Sequence, residues 1–181
     1  MHSIKVQCDT TKGPLEIIVQ PEWSPKGATR FLEMVDDGFF TNLPLFRCMN
    51  GFVCQFGAAP KRDYAKTYSA IQDDPHVATL RDFKVGYLSF AGYALNTRAN
   101  HIFIALSGAG SLGSQPWETP FGFVSDSSLQ STVSQFYTGY GDMPPAGNGP
   151  DPKKIETPDG AEYLHQNFPK LDYFVSCKRG S

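Results

Sequence analysis

What most constrains this chain is its punctuation. Glycine occurs 17 times and proline 14 times in 181 residues, so turn signals recur often and leave room for many short strands but few long helices. Between those signals the apolar residues follow two periods. Ile4-Lys5-Val6-Gln7-Cys8-Asp9-Thr10 alternates and Leu15-Glu16-Ile17-Ile18-Val19 does so less strictly; with Thr11-Lys12-Gly13-Pro14 between them, the two runs read as a hairpin. Ser24-Pro25 then supplies an N-cap and a first-turn proline for a helix with Ala28, Phe31, Leu32 and Val35 at i, i+3, i+4 and i+7, ended by Gly38. Two β-type runs, Leu45 to Met49 and Phe52 to Phe56, flank Asn50-Gly51, a dipeptide suited to positive φ.

Residues 57 to 84 lack a period and read as a long surface loop, after which Val85 to Ala91, His101 to Leu106 and Phe121 to Val124 are further strands. Asp126 is placed to cap a second helix carrying Leu129, Val133, Phe136 and Tyr137 on one face, ended by Gly139. Gly139 to Pro152 is too dense in glycine and proline for either regular element. A short helix from Thr157 to Phe168 and a closing strand from Leu171 to Cys177 complete the reading. The expected fold is mainly β: about eight antiparallel strands closed into a barrel that leaves no edge exposed, with helices plugging the open ends.

Composition bounds the partners. Hydrophobic residues make up 40% and charged residues 19%, enough to close one core over residues 1–181, which excludes disorder for most of the chain. A net charge of −2 supplies no basic field for a nucleic acid backbone. No apolar run reaches the roughly 20 residues of a membrane span, and Met1 to Lys5 lacks the apolar stretch of a secretion signal, so a soluble chain is expected, although a mature domain stripped of its leader would look the same. Cys8, Cys48, Cys54 and Cys177 match no CxxC or zinc spacing and are expected as buried free thiols; with no N-x-S/T acceptor, this favours a cytoplasmic setting. His2, His76, His101 and His165 stand apart from further ligands, so no metal is expected. Gly108-Ala109-Gly110-Ser111-Leu112-Gly113 fits G-x-G-x-x-G, but Ser114-Gln115-Pro116-Trp117 breaks the helix a dinucleotide would need, and a surface loop is the better reading. No G-x-S-x-G elbow is present, and no cofactor is implied.

The informative segment is Leu45-Phe46-Arg47-Cys48-Met49-Asn50-Gly51-Phe52-Val53-Cys54-Gln55-Phe56-Gly57. Arg47 and Gln55 lie eight apart around the tight turn, so on paired strands both can face one side with Phe52 beside them. Alone, an arginine at a strand rim is an ordinary surface ion-pairing residue. Joined with Gly86-Tyr87-Leu88-Ser89-Phe90-Ala91 and Asn96-Thr97-Arg98-Ala99-Asn100-His101-Ile102-Phe103-Ile104, the segment resembles the cyclophilin family of peptidyl-prolyl cis-trans isomerases. That family's pattern reads approximately F-[HF]-R-x-x-P-G-F-x-x-Q-x-G, then G-x-[LV]-[ST]-[MF]-A and N-T-x-x-[ST]-Q-x-F-I. The likeness starts at the 11–14 turn, includes Pro25, Phe31-Leu32 and Pro120-Phe121-Gly122, and covers nearly the whole chain. The tail, with Gly139-Tyr140-Gly141, Gly147-Asn148-Gly149-Pro150-Asp151, Tyr163-Leu164 and Phe168-Pro169-Lys170-Leu171-Asp172-Tyr173, is similar to a divergent bacterial or algal-like branch.

The resemblance implies an eight-stranded barrel capped by two α-helices, with the site on its outer face. Arg47 falls on the catalytic arginine, Phe52 and Phe103 on the aromatic walls of a proline pocket, and Gln55 on a glutamine that contacts peptide backbone. Val53 stands at an apolar wall position, Ala91 and Phe121 beside the pocket, and Gly92 where many members have Asn. Three departures follow. His101 replaces the usual Gln with an imidazole, a group that ordinarily changes charge near pH 6 to 7, so activity is expected to vary over that range. Asn50 replaces Pro before Gly-Phe, and the chain is short around Trp117, the candidate stand-in for the pocket's usual Trp. High cyclosporin affinity is therefore not expected. The implied activity is rotation of X-Pro bonds in proline-containing peptides or protein clients, by a monomer; the alternative is a catalytically silent domain that binds Pro-containing segments as a scaffold.

Overall fold

The computed structural model describes residues 3–61, 66–75, 77–108 and 112–180. Outside them lie His2, His76 and the Ala109-Gly110-Ser111 part of the glycine motif. The expected hairpin forms from β1 (Ile4–Thr10) and β2 (Gly13–Val19), paired from Ile4 opposite Val19 to Thr10 opposite Gly13. Its period of two puts Val6, Cys8, Leu15, Ile17 and Val19 on one buried face, the first wall of the core.

The other strands are β3 (Leu43–Pro44), β4 (Arg47–Met49), β5 (Val53–Phe56), β6 (Tyr87–Phe90), β7 (Ile102–Ala105), β8 (Gly122–Val124) and β9 (Tyr173–Arg179). Every pairing is antiparallel, in the order β3-β9-β1-β2-β8-β6-β7-β5-β4. The two ends of this sheet are two halves of one chain segment: β3 pairs with β9 and β4 with β5, and only Leu45 and Phe46 separate them. The sheet therefore curls round to meet itself. Eight of the nine strands fall on the eight expected runs; the ninth, β3, lies just before the Leu45 to Met49 run, of which only Arg47–Met49 pairs, as β4.

α1 (Pro25–Asp36) buries Ala28, Phe31, Leu32, Met34 and Val35 in the barrel core, the face its 3.6-residue period sets out. Ser24 occupies the N-cap position but its hydroxyl does not cap the helix; it donates to Asp74 instead. The Asp74 carboxylate, from the loop between β5 and β6, takes the capping role by accepting from the backbone N–H of Lys26 at 2.9 Å and of Gly27 at 3.0 Å. Fully buried Arg98 donates to the same carboxylate at 3.1 Å and to the Gln72 carbonyl at 2.6 Å. Burial pushes the Asp74 carboxyl up, but these hydrogen bonds and the guanidinium outweigh it and hold it below the ordinary carboxylate range. The stretch expected to be a plain surface loop is thus tied to a helix start and to the chain leading into β7.

The second helix is shorter than its apolar spacing suggests. α2 (Asp126–Ser131) is capped by Ser125, one residue before the expected cap, and passes at once into a 3-10 turn over Val133–Gln135. Its Ser- and Thr-rich sequence has little helical preference, and the Thr132 hydroxyl donates to the Pro14 carbonyl at 2.5 Å, so anchoring Val133 and Phe136 in the barrel core prevails over helix length. Beyond Gly139 the chain is an ordered succession of turns leading to α3 (Pro152–Ile155) and α4 (Gly160–Asn167). These build a second apolar cluster, in which Ile155, Leu164 and Leu171 pack with Phe46, the residue just before β4.

The four cysteines, expected as free thiols, meet in two pairs, with Cys8 joined to Cys177 and Cys48 set directly against Cys54. Sheet register is the cause. Cys8 lies opposite Cys177 across β1 and β9, and Cys48 opposite Cys54 across β4 and β5. A partner 169 positions away across a sheet has no spacing signature in the sequence.

Candidate active site

The register that closes the barrel also aligns the candidate residues. Arg47 on β4 stands opposite Gln55 on β5, and Gln55 opposite Phe103 on β7. Cys54, Phe56, Ile102 and Ile104 point into the core, so their sequence neighbours Val53, Gln55, Phe103 and Ala105 face outward. One row of side chains, Arg47, Gln55 and Phe103, thus crosses three strands on the outer face.

Arg47 is held on several sides. Its Nη1 donates to Gln55 Oε1 at 3.0 Å, its Nε to Asp142 Oδ1 at 2.6 Å, and its guanidinium carbon lies 5.8 Å from the centre of the Phe52 ring. Among the described residues Nη2 makes no hydrogen bond. The Arg47 guanidinium holds the Asp142 carboxyl below the ordinary carboxylate range against a smaller opposing effect of burial, with help from the Met143 N–H at 2.7 Å. A groove of about 490 Å³ opens beside this pair, lined by Arg47, Gln55, Ala91, Gly92 and His101 together with Met143 and Glu156. His101 Nε2 lies 3.3 Å from Glu156 Oε1, and its ring meets Phe46 edge-on at 5.9 Å.

The apolar wall is a separate cluster next to that row. Val53 and Phe103 are almost fully buried in it, with Phe52 and Ala91 against them; Phe83, stacked on Phe103 at 6.0 Å, and Leu112 complete it. Trp117 is not part of this cluster. Its ring lies over Gly92, where a Cβ would come within 2.8 Å of Trp117 Cδ1 and 3.1 Å of the Thr97 hydroxyl. Two departures noticed separately in the sequence, glycine in place of Asn and a displaced tryptophan, are therefore one packing arrangement. Phe121 is the misplaced candidate: it has no exposed surface and packs between Phe31 at 4.9 Å and Phe90 at 5.4 Å inside the barrel, not beside the groove. Its position just before β8 turns it inward, a matter of sheet curl that aromatic character does not reveal.

Sequence reasoning missed Met143 and Glu156 along the groove, as well as Tyr93, Thr97, Ala99 and Asn100; it also missed Asp142, which pairs with Arg47 beside the groove, and Phe83 and Leu112 of the wall. The only hint of Asp142 was a carboxylate inside a glycine- and proline-dense run. Among the described residues no group of three or more His, Cys, Asp or Glu side chains could hold a metal ion, and no helix is long and apolar enough to cross a membrane.

Comparisons with known proteins agree with this fold. The family model described as cyclophilin type peptidyl-prolyl cis-trans isomerase/CLD matches residues 4–148. The chain is 33% identical over 109 residues to Peptidyl-prolyl isomerase CWC27 of Yarrowia lipolytica, covering 56% of this chain and 30% of that one. It is 28% identical over 122 residues to Peptidyl-prolyl cis-trans isomerase CYP18-2 of Arabidopsis thaliana, covering 66% of this chain and 73% of that one. The chain thus spans under a third of the first of these relatives. The crystal structure of a cyclophilin type peptidyl-prolyl cis-trans isomerase of Cryptosporidium parvum superposes with a TM-score of 0.68 at 17% identity, covering 99% of both chains. A second structure of that protein, in the presence of the dipeptide Ala-Pro, gives 0.65 at 19% identity, covering 98% of this chain and 99% of that one. With its family match, its curled antiparallel sheet and its outer-face row of Arg47, Gln55 and Phe103, the chain belongs to the cyclophilin type peptidyl-prolyl cis-trans isomerases.

Proposed function

We propose that this chain catalyses cis/trans rotation of X-Pro peptide bonds, and that the observation carrying this is the groove-lining Arg47, its guanidinium anchored through Nε and Nη1 and its Nη2 without a hydrogen bond among the described residues. Amide resonance sets a barrier of about 18–20 kcal/mol and makes unassisted exchange take tens of seconds or more. At the twisted transition state the resonance is lost and the proline nitrogen becomes pyramidal, with a localised lone pair. A fixed N–H donor can bond that lone pair only once it exists, so Arg47 stabilises the transition state more than the ground state. A hydrogen bond from a charged donor contributes about 1.5–3 kcal/mol, roughly ten- to a hundredfold in rate.

The other residues hold the two sides of the rotating bond. Phe52, Val53 and Phe103 offer an apolar wall for the ring, while Gln55 and the Ala91–Gly92 backbone border the peptide's path. No nucleophile is called for, because no covalent bond is made or broken. This gathering of donor, amide and aromatic wall favours the isomerase over a silent scaffold. The test is an exchange-NMR or protease-coupled assay on a short X-Pro peptide. Arg47→Ala is expected to lose roughly a hundredfold of the rate enhancement, and a wild-type rate no faster than Arg47→Ala would refute the proposal.

We also infer weak affinity for cyclosporin, supported by a Trp117 ring that covers Gly92 and contributes nothing to the apolar wall; tight binding in a cyclosporin titration would overturn that. We further propose an oxidising compartment, on the strength of the cysteines. The cytoplasmic expectation went with free thiols, and a joined Cys8–Cys177 pair suits an oxidising compartment. Four thiols open to alkylation in freshly purified, unreduced protein would return the chain to the cytoplasm.

A further inference from the structure

We infer that Asp142 is a positioning residue for Arg47, and that the glycine- and proline-dense run between Gly139 and Pro152 is the frame that sets it in place. This deepens the isomerase reading and rests on it. Asp142 stands 95 positions from Arg47, yet its Oδ1 accepts the Arg47 Nε–H at 2.6 Å, shorter than the 3.0 Å bond from Nη1 to Gln55. The same Oδ1 accepts the Met143 N–H at 2.7 Å, which orients the carboxylate from its own backbone.

The frame closes around the Asp142 backbone as well. Its carbonyl accepts the Gly149 N–H at 2.9 Å, and the Met143 carbonyl accepts the Gly147 N–H at 3.0 Å. A Cβ on Gly147 would come within 2.4 Å of the Asp142 carbonyl oxygen, so the turn can tighten over Asp142 only with glycine there. Outside the turn, Met143 and Tyr140 pack on the cluster built by Phe46, Ile155 and Leu164, and the Tyr140 hydroxyl accepts the Lys170 N–H at 2.9 Å. Phe46 immediately precedes Arg47, so one apolar cluster sets both ends of the ion pair.

The consequence is chemical. A guanidinium is a planar fork on a long flexible stem, and a single bond to Gln55 leaves its plane free to swing about Nη1. A second anchor at Nε removes that swing and fixes where the Nη2 hydrogens point. Transition-state stabilisation depends on a donor already aimed at the place where the lone pair develops. Asp142 supplies the aim without touching substrate, a role that changes turnover more than binding.

The experiment compares wild type, Asp142→Asn, Asp142→Ala and Arg47→Ala in the full chain. It reads kcat and KM by exchange NMR on an X-Pro peptide, the Arg47 Nε–H resonance in the free protein, and the melting temperature. In Asp142→Ala, kcat is expected to fall about tenfold with KM within twofold, and the protected Nε–H resonance to be lost. Asp142→Asn, which keeps the shape and a weaker acceptor, should fall between and guards against a folding defect. The inference is overturned if Asp142→Asn and Asp142→Ala keep kcat within twofold while Arg47→Ala loses its activity, if the loss lies in KM alone, or if the Nε–H resonance is unchanged. Should Arg47→Ala match wild type, the isomerase reading fails, and the resonance then decides by itself whether Asp142 holds Arg47.

Discussion

Arg47 is gripped from two sides that are built differently. On one side stands Gln55, delivered by the β4–β5 register, where a two-residue period and a tight turn leave no other residue opposite. On the other stands Asp142, delivered by turns that no period describes and that hold shape through Gly147, Gly149 and the Phe46 cluster. The sheet side is robust because its position is shared by every bond of the ladder. The turn side is specific because it depends on a few close approaches, and it is where a branch can alter the site while leaving the barrel alone. The third border, the chain from Gly92 to His101, resembles the turn side, since buried Arg98 and Asp74 hold it where no ladder does.

Substitutions can separate these borders, and the largest effect is expected from Arg98→Met. It removes the guanidinium and leaves the Asp74 carboxylate buried with one partner fewer, a loss of about 3–5 kcal/mol. At roughly 2–4 °C per kcal/mol the melting temperature should fall by about 10 °C. A fall under about 3 °C would show that this border stands without its charged network.

A middle effect is expected from Gly147→Ala. The added Cβ forces the Asp142 backbone to move, at about 1–3 kcal/mol of stability. Turnover should fall severalfold, as in Asp142→Ala, because the sheet side alone is left to hold Arg47. Full turnover with a lowered melting temperature would mean that the two sides are energetically separate and the comparison is only architectural.

The smallest effect belongs to His101→Gln. The contact with Glu156 spans 3.3 Å between side chains that are 27% and 36% exposed, the setting of a surface pair contributing about 0–1 kcal/mol. Stability should stay within about 0.5 kcal/mol, and kcat/KM on a neutral X-Pro peptide within roughly threefold. A loss of tenfold or more in kcat/KM would move His101 from the rim of the groove into its working parts.

Legibility in the sequence followed range. The hairpin of β1 and β2, the α1 face and the Arg47–Gln55 pairing were all readable because each depends on neighbours within about a dozen positions and on a strict period. Phe103 was placed by the resemblance and then found in register with Gln55. Phe121 was misjudged since only the curl of the sheet decides which aromatic beside a strand faces in. The Cys8–Cys177 pair and Asp142 were out of reach because their partners come from opposite ends of the chain or from an irregular run, whereas Cys48 opposite Cys54 follows from the same hairpin register as Arg47 and Gln55 and was missed for want of a CxxC signature.

By itself, then, the amino-acid order determined a mainly β chain cut into short strands by glycine and proline, and it put a guanidinium and an amide on one face of a tight hairpin. Those are local consequences of backbone dihedrals and of a two-residue period. Only the tertiary structure decided that the 43–49 segment closes the barrel, that Trp117 covers Gly92, and that Asp142 reaches Arg47. Each of these joins groups far apart in the chain through burial and close contact, and such contacts exist only once the whole core has formed.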